Sequence, residues 1–418
     1  MRTNQPNPPP SPSSSPSTPP PPQDFFTRNA LAPPDRLACH DIAQALFPRH
    51  ATAPHAWQGW CSYSVLLTPK QAGDGDGALL LQFRTPRHAL DVDVLGAAGR
   101  VYGAACVPRV VWAGAVVLWP REGVPGGEAR LEACAMTVVR GVPVGVAAGG
   151  RAPAWRREVV GGFAGFVARG WVGAGAAAGE VPGPGSLHVA APAKLGRLGV
   201  ELPTAGLREV ARWVGRRFLE LGLQRVPGER RRGERQLLPF TVNHGDVVPG
   251  NILVDEDTGR LTGLVDWAEA EVGVWGLCLY GLEFLLGFVS SSSNEGGEQE
   301  QSNSNVGGGV AWGAEGKGAS DREKKFSFTY YPEAAELRAL FWEEVKRRIG
   351  TPFEDPMAKE AADVIRDVGV LLWFGFAWDE GRIDRVVNEK DDPRELVLLE
   401  TFLSSRMKDG RDCEKARL

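Results

Sequence analysis

Three oxygen-bearing side chains in two short stretches of the sequence have the types and spacing that hold a divalent cation. Asp246 and Asn251 lie five positions apart in residues 243–251, and Asp266 follows within residues 263–267. Amide and carboxylate oxygens suit Mg²⁺, which usually takes one or two carboxylates together with substrate phosphates. The three residues therefore predict a magnesium site that serves phosphate chemistry.

The elements between these residues predict how they meet. Residues 252–255 and 261–265 are mostly apolar and rich in β-branched side chains, and residues 256–259 between them have turn chemistry. Folding the segment as an antiparallel hairpin sets Asn251, at the start of one strand, beside Asp266, at the end of the other. The preceding loop then reaches the same edge.

The same spacing occurs in the catalytic loop of protein kinases, where four residues separate an Asp from an Asn and a later Asp holds metal. The segment resembles the aminoglycoside phosphotransferase and choline kinase-like family of the protein-kinase-like superfamily, particularly its fungal members. The resemblance is close over about residues 240–288 and weaker back to about residue 58. It implies an α+β, bilobal fold with a small β-rich N-lobe and a larger α-helical C-lobe.

The resemblance also implies roles for single residues. Asp246 would position an attacking hydroxyl and accept its proton, while Asn251 and Asp266 would bind Mg²⁺ beside ATP or GTP. His244 is a catalytic candidate by its place in the motif, and a packed, hydrogen-bonded loop histidine is the preferred alternative. Taken singly, Asp246 has a structural alternative as a helix cap or turn residue, and Asn251 as the start of a strand.

Composition limits the remaining possibilities. The 418 residues are enough for a bilobal domain with a large core, and a formal net charge of −4 gives no indication of a nucleic-acid partner. The longest apolar run, residues 272–289, contains Glu283 and is short for a membrane span, so it predicts a buried helix behind the site. The N-terminus lacks a signal pattern, and a cytoplasmic protein with reduced thiols is expected; the six cysteines are scattered, at Cys39, Cys61, Cys106, Cys134, Cys278 and Cys413.

Composition shifts divide the chain. Residues 1–23 are a Pro/Ser tail that we expect to be disordered, and residues 290–325 are a low-complexity stretch typical of a flexible surface insertion. Residues 24–140 form the predicted N-lobe and residues 141–418 the predicted C-lobe, where strands should vanish apart from the catalytic hairpin. The adenine hinge falls at about residues 136–140.

Periodicity predicts the main elements. In the N-lobe, strands are expected at 62–67, 78–84, 107–118 and 130–139, with a helix at 88–102. In the C-lobe, amphipathic helices are expected at 207–223, 333–349 and 359–378.

The nucleotide side departs from the protein-kinase pattern. The loop that should cover the phosphates, residues 58–63, contains one glycine, and the third strand has no lysine. Arg84 is the candidate phosphate-binding cation, with Gln82 on the same strand face as runner-up, and a solvated strand-end arginine is the alternative. Asp91 or Asp93 on the following helix is the candidate partner of Arg84.

The acceptor is the least specified part. Acidic residues after the hairpin would favour a cationic acceptor or simply face solvent: Glu269, Glu271, Glu283, Asp379, Glu380 and Asp384. Three functions stay open: a small-molecule O-phosphotransferase using Mg²⁺ and ATP or GTP, a catalytically weak kinase-like scaffold, and a metal-dependent hydrolase. The hydrolase would use His244 and Asp246 as ligands, but the remaining histidines show no ligand spacing. Acceptor identity and oligomeric state are not specified by the sequence.

Overall fold

The computed structural model describes residues 25–31, 33–56, 58–71, 77–118, 129–176, 183–226, 235–292, 325–379 and 382–407. The predictions for the tail at 1–23 and for most of the insertion at 290–325 lie outside these residues. Within the described parts of the chain, no helix combines the length and apolarity needed to cross a bilayer.

The N-lobe is built on one five-stranded sheet. Its strands are β1 (His50–Pro54), β2 (Ser62–Pro69), β3 (Leu79–Arg84), β4 (Val110–Leu118) and β5 (Ala129–Thr137). They lie in the order β1-β2-β3-β5-β4, and every neighbouring pair is antiparallel. The four predicted strands are confirmed with small shifts at their ends, and β1 was not predicted.

Two helices that the sequence analysis did not predict cover one face of this sheet. They are α1 (Phe25–Arg28) and α2 (Pro33–Leu46). Phe25 and Phe26 are buried together with alternate residues of β3, because side chains two positions apart share a strand face. The helix pair therefore completes the core of the N-lobe.

Helix α3 (Val92–Tyr102) links the sheet to the C-lobe. It begins four residues later than predicted, because residues 86–88 form a separate 3₁₀ turn and Asp91 caps the helix. The buried residues of α3 belong to the C-lobe core, where the Tyr102 ring stacks on Phe166 with centroids 4.2 Å apart. The Tyr102 hydroxyl donates to the carbonyl of Val242 at 2.6 Å, so α3 is anchored beside the catalytic loop.

The C-lobe is mainly helical. Its helices are α4 (Val144–Ala147), α5 (Pro153–Ala176), α6 (Ser186–Glu201), α7 (Ala205–Glu220), α8 (Gly281–Leu285), α9 (Ala334–Ile349), α10 (Pro356–Phe374) and α11 (Pro393–Phe402), with 3₁₀ turns at Leu277–Tyr280 and Thr351–Glu354. The predicted amphipathic helices correspond to α7, α9 and α10. Helix α10 ends at Phe374, before the predicted end at residue 378, because the chain continues there as a strand.

The expectation that strands vanish after residue 141 apart from the hairpin is wrong. The C-lobe also contains short strands: β6 (Val142–Pro143), β7 (Phe240–Asn243), β8 (Ile252–Val254), β9 (Leu261–Leu264), β10 (Glu271–Val274), β11 (Gly287–Ser292), β12 (Lys325–Tyr330), β13 (Phe376–Asp379) and β14 (Arg382–Val386). They pair as β6-β8-β9, β10-β7, β11-β12 and β13-β14. Segments this short carry too few residues for a clear alternating pattern.

The apolar run at residues 272–289 is buried, as predicted, but it is not one helix. It passes through β10, a 3₁₀ turn, α8 and the start of β11. Gly276 has a φ of 101°, a conformation that L side chains rarely adopt and that interrupts a right-handed helix. The segment therefore does not form one helix, although nearly all of its residues are hydrophobic.

Glu283 within this run is the centre of a buried ion-pair cluster. Its carboxylate accepts hydrogen bonds from Arg338 at 2.7 and 3.0 Å and from the Tyr330 hydroxyl at 2.8 Å, and Arg366 lies 3.7 Å away. Burial raises the pKa of Glu283, but the charges of Arg366 and Arg338 outweigh burial and hold the pKa below its ordinary value. The cluster ties α8 to β12, α9 and α10.

We expect Glu283→Gln to lower the free energy of unfolding by about 3 kcal/mol, because it leaves Arg338 without its carboxylate. Arg366 also loses one carboxylate but keeps Asp367 at 3.1 Å. The matched control is Glu336→Gln, whose exposed carboxylate lies 3.9 Å from Arg157 and whose loss should cost less than about 0.5 kcal/mol. Urea denaturation measures both changes.

Wild type and Glu283→Gln also test how the stability depends on pH. Since the pKa of Glu283 is lower in the folded state, its stabilisation is present above the unfolded pKa and is lost as pH falls through the folded pKa. The stabilities of wild type and Glu283→Gln should therefore converge in acid. A constant difference at every pH would contradict the assignment.

Candidate active site

The catalytic hairpin has the predicted geometry. Strands β8 and β9 are antiparallel, with Ile252 opposite Leu264. One step further along, the Val265 amide donates to the Asn251 carbonyl at 3.0 Å, which sets Asn251 beside the start of the Asp266 segment. The two ends of the hairpin therefore meet at one edge, as the sequence indicated.

Asp246 is held by Asn251. The Asn251 side-chain amide donates to the Asp246 carbonyl at 3.0 Å and to Asp246 Oδ2 at 2.9 Å. The other carboxylate oxygen, Oδ1, is buried and has no hydrogen-bond partner among the described residues. Desolvation raises the pKa of Asp246 well above its ordinary value, and the charges of Asp266 and Glu269 raise it further. One oxygen of Asp246 thus orients the group while the other is left for an incoming ligand.

His244 braces the loop against the hairpin. Its buried ring donates from Nε2 to the Val265 carbonyl at 2.9 Å and accepts at Nδ1 from the Asp246 amide at 3.2 Å. Burial lowers the pKa of His244 to about 4, so the ring is neutral near pH 7. Because both ring nitrogens bond to backbone groups, His244 is the packed, hydrogen-bonded loop histidine that the sequence analysis preferred over a catalytic one.

Asp266 has an uncommon backbone conformation. Its φ is 58°, in the left-handed region, where Asp is tolerated better than most residues. The Trp267 side chain is buried and its indole N–H donates to the Leu264 carbonyl at 2.9 Å, which anchors the turn. The Asp266 side chain remains 46 % exposed. The turn thus presents the carboxylate to the space between the lobes at the cost of local strain.

Arg84 connects the N-lobe to this carboxylate. At the end of β3 its side chain is only 5 % exposed, so the alternative of a solvated strand-end arginine is wrong. Its guanidinium donates to Asp266 Oδ1 at 3.2 Å and to Gln82 Oε1 at 3.2 and 3.4 Å. The Gln82 amide in turn donates to Ser64 Oγ at 3.3 Å. Both predicted residues lie at the site, with Gln82 orienting Arg84.

Asp91 is not the partner of Arg84, which corrects the sequence prediction. The Asp91 carboxylate accepts from the amides of Asp93 at 3.1 Å and Val94 at 3.0 Å, so it caps α3. Helix N-termini bind carboxylates in this way because their first amides have no partner within the helix. The carboxylate paired with Arg84 is Asp266, which lies in the C-lobe.

The acidic residues after the hairpin serve different purposes. Glu271 accepts from the amides of Leu187 at 2.9 Å and His188 at 2.8 Å, so it caps α6, and Glu283 belongs to the buried cluster. Glu269 remains solvent-accessible. Desolvation by the surrounding protein and the charge of Asp266 raise the pKa of Glu269 to about 7. Of these three, only Glu269 is an acceptor-side candidate.

The acidic residues later in the chain are in an ion pair, exposed, or outside the described residues. Asp379 pairs with Arg385 at 2.7 Å, and the buried Asp392 accepts from the same guanidinium at 2.7 Å. Glu380 lies outside the described residues. The predicted acidic group for a cationic acceptor is therefore reduced to Glu269 and the exposed Asp384.

The loop over the site joins β1 to β2 and includes the predicted residues 58–61. Gln58 fixes it, since its side chain accepts from the Ser64 amide at 2.8 Å and donates to the Ser64 carbonyl at 2.9 Å. Burial raises the pKa of Cys61, while the charge of Arg84 lowers it and those of Glu269 and Asp266 raise it. The loop lies close to Arg84, since Ser62, which follows Cys61, pairs with Arg84 in the register of β2 and β3.

The oxygen donors fit a cation that is completed by phosphate. No group of three or more His, Cys, Asp or Glu side chains arranged as metal ligands occurs in the described parts of the chain. The donors at the hairpin are the side-chain amide oxygen of Asn251 and the carboxylate of Asp266. Mg²⁺ is usually bound by such small sets, since phosphates and water supply the other ligands.

The sheet order, the helix between β3 and β4 and the loop–hairpin site together define a protein-kinase-like fold, as expected. Residues 75–277 match the model of the phosphotransferase enzyme family, APH. The match covers β3, α3, the catalytic loop and the hairpin, and includes every predicted site residue. The similarity to the aminoglycoside phosphotransferase family is therefore confirmed.

The chain is also similar, at low identity, to several solved structures. An aminoglycoside-3'-phosphotransferase of type VIII is 19% identical, with 79% of this chain and 97% of that chain covered and a TM-score of 0.39. An aminoglycoside phosphotransferase from Streptomyces rimosus, in complex with ADP and streptomycin, is 16% identical over 80% and 98%, with a TM-score of 0.38. An amicoumacin kinase in complex with AMP-PNP and Ca²⁺ is 10% identical over 90% and 96%, with a TM-score of 0.44. Similarity at this level carries no information on the substrate of this chain. No curated protein matches the sequence.

Proposed function

We propose that this chain transfers the terminal phosphoryl group of ATP or GTP to a hydroxyl group of a small molecule, with Mg²⁺ as cofactor. The observation that carries the proposal is the Asp246 carboxylate, which Asn251 holds by one oxygen while the other stays buried and unpartnered. A carboxylate held in this way, beside Asn251 and Asp266, suits proton removal next to a metal-bound phosphate.

In this mechanism the residues have distinct tasks. The acceptor oxygen attacks the terminal phosphorus, the bond from phosphorus to the bridging oxygen breaks, and the hydroxyl proton passes to Asp246. Asn251 and Asp266 would hold Mg²⁺, which when bound would neutralise charge on the phosphates. Arg84 would bind phosphate oxygens, and His244 keeps the loop in register. Free thiols at all five described cysteines are compatible with a cytoplasmic location, which we also propose.

One observation favours the second candidate, a catalytically weak kinase-like scaffold. The Arg84 guanidinium is already bound to Asp266 at 3.2 Å, so phosphate and metal must compete with this ion pair. The glycine-poor loop points in the same direction. A scaffold of this kind would bind nucleotide without transferring phosphate.

Two measurements on the purified protein separate these functions. We expect Mg²⁺ with ATP or GTP to raise the Tm, since a ligand present at about 100 times its Kd stabilises the fold by about 2.7 kcal/mol. A panel of hydroxylated acceptors is then screened by mass spectrometry for a phosphorylated product. Binding without any product would favour the scaffold, and absence of both would contradict the proposed function.

A further inference from the structure

Trp60, in the loop over the site, is held from two sides. On one side the Arg28 guanidinium of α1 lies 3.9 Å from the centroid of the Trp60 ring, and Arg28 Nη2 donates to the Trp60 carbonyl at 2.9 Å. On the other side the Trp378 ring of β13 meets Trp60 edge to face, with centroids 4.9 Å apart. The three side chains connect an N-terminal helix, the loop and the C-lobe.

The helix that supplies Arg28 is itself fixed to the sheet at the end of the loop. Phe26 packs edge to face on Tyr63 of β2, with centroids 4.8 Å apart. The Tyr63 hydroxyl also lies 2.8 Å from His40 Nε2 of α2. Both helices therefore contact Tyr63, the second residue of β2, close to the end of the loop. These contacts fix the helix that carries Arg28 to the sheet.

The next residue shows where this loop lies. Cys61, between Trp60 and β2, is followed by Ser62, which lies opposite Arg84 in the pairing of β2 with β3. Because Arg84 donates to Asp266 at 3.2 Å, the loop ends beside the proposed phosphate site. Glycine-rich loops bring backbone amides to phosphate by their conformational freedom. This loop contains one glycine, so another device must hold its backbone in a fixed shape.

We propose that Arg28 and Trp378 are positioning residues that hold the Trp60 loop over the nucleotide phosphates, so that helix α1 is part of the nucleotide site. This inference rests on the proposed function. A guanidinium over an indole and a hydrogen bond to the carbonyl of the same residue restrain the ring and the backbone together. Trp378 then sets the loop relative to the lobe that carries Asp246 and Asp266.

The test compares Arg28→Gln with Arg49→Gln by titrating Mg²⁺–ATP in a calorimeter. We expect Arg28→Gln to weaken nucleotide binding on the order of tenfold, because both contacts to Trp60 are lost. The kcat at saturating nucleotide should change little, since Arg28 does not touch the catalytic carboxylates. Arg49 is the matched control, as it is an exposed arginine of the same lobe, just after α2, and loses the same charge. Its removal should leave the affinity unchanged, and Arg28→Lys should restore part of the lost affinity.

A second readout is independent of nucleotide. Alkylation of Cys61, followed by peptide mass spectrometry without nucleotide, reports how often the loop opens. We expect faster alkylation in Arg28→Gln and in Trp378→Leu than in wild type and Arg49→Gln. Urea denaturation checks that each variant is folded.

The two readouts separate this inference from the proposed function. Equal alkylation rates in wild type and Arg28→Gln, or equal nucleotide affinities, would overturn the positioning role. A wild-type protein that binds no nucleotide would instead contradict the proposed function. The inference about the Trp60 loop would then fail as well, because it rests on that function.

Discussion

Asp246→Asn is expected to lower kcat by about 10³-fold, in the range typical of removing a general base, while leaving nucleotide affinity within about twofold. The substitution keeps the shape of the side chain, and the new amide oxygen still accepts from the Asn251 amide that now bonds Oδ2 at 2.9 Å. It removes the group that accepts the hydroxyl proton. The effect should therefore fall on the chemical step and not on binding.

Single-turnover phosphate transfer to the acceptor found in the screen measures this loss. The matched control is Asp255→Asn in the same hairpin, where the carboxylate accepts from the Thr258 amide at 2.9 Å and has only a turn to stabilise. That variant should keep kcat within about twofold. A kcat for Asp246→Asn equal to that of the control would remove Asp246 from the mechanism.

Asp266→Asn is expected to lower kcat by about 10²- to 10³-fold and to raise the Mg²⁺ concentration needed for half-maximal activity, because a metal ligand loses its charge. Asn is the suitable replacement, since it tolerates the left-handed φ of 58° at this position and its oxygen still accepts from Arg84. An Ala replacement would add backbone strain and confuse stability with activity.

A Mg²⁺ titration of activity at fixed nucleotide tests this role. The control is Asp257→Asn, an exposed carboxylate in the turn of the same hairpin. If Asp266→Asn retained the wild-type Mg²⁺ dependence, Asp266 would act only as the partner of Arg84. Unfolding of Asp266→Asn in urea at a much lower concentration than wild type would identify a structural carboxylate instead.

Much of the site could be predicted because its parts are close in sequence. Asp246 and Asn251 are joined by a loop of four residues, and the hairpin from Asn251 to Asp266 is specified by two apolar runs around a turn. Local spacing and strand pairing leave such residues few ways to be arranged. The strands of the N-lobe and helices α7, α9 and α10 follow from periodicity for the same reason.

The partners of charged residues were not predictable in this way. Asp91 was expected to pair with Arg84, but it caps its own helix, and the carboxylate that binds Arg84 lies 182 residues away in the chain. Glu271 and Glu283 were grouped with Glu269 by proximity in sequence, yet one caps a helix and the other is buried among arginines. The sequence shows that a carboxylate is present, but it does not specify whether that carboxylate will face solvent, a backbone amide or a guanidinium.

The sequence by itself determined how the loop of Asp246 and the hairpin from Asn251 to Asp266 are arranged, and the order of a small sheet followed by a helical lobe, because short-range geometry decides both. Only the tertiary structure decided that α1 reaches the loop over the site and that Arg28 and Trp378 meet on Trp60. Those contacts join residues from three distant segments. Their pairing depends on how the segments pack, since no periodic pattern in the chain relates one to another.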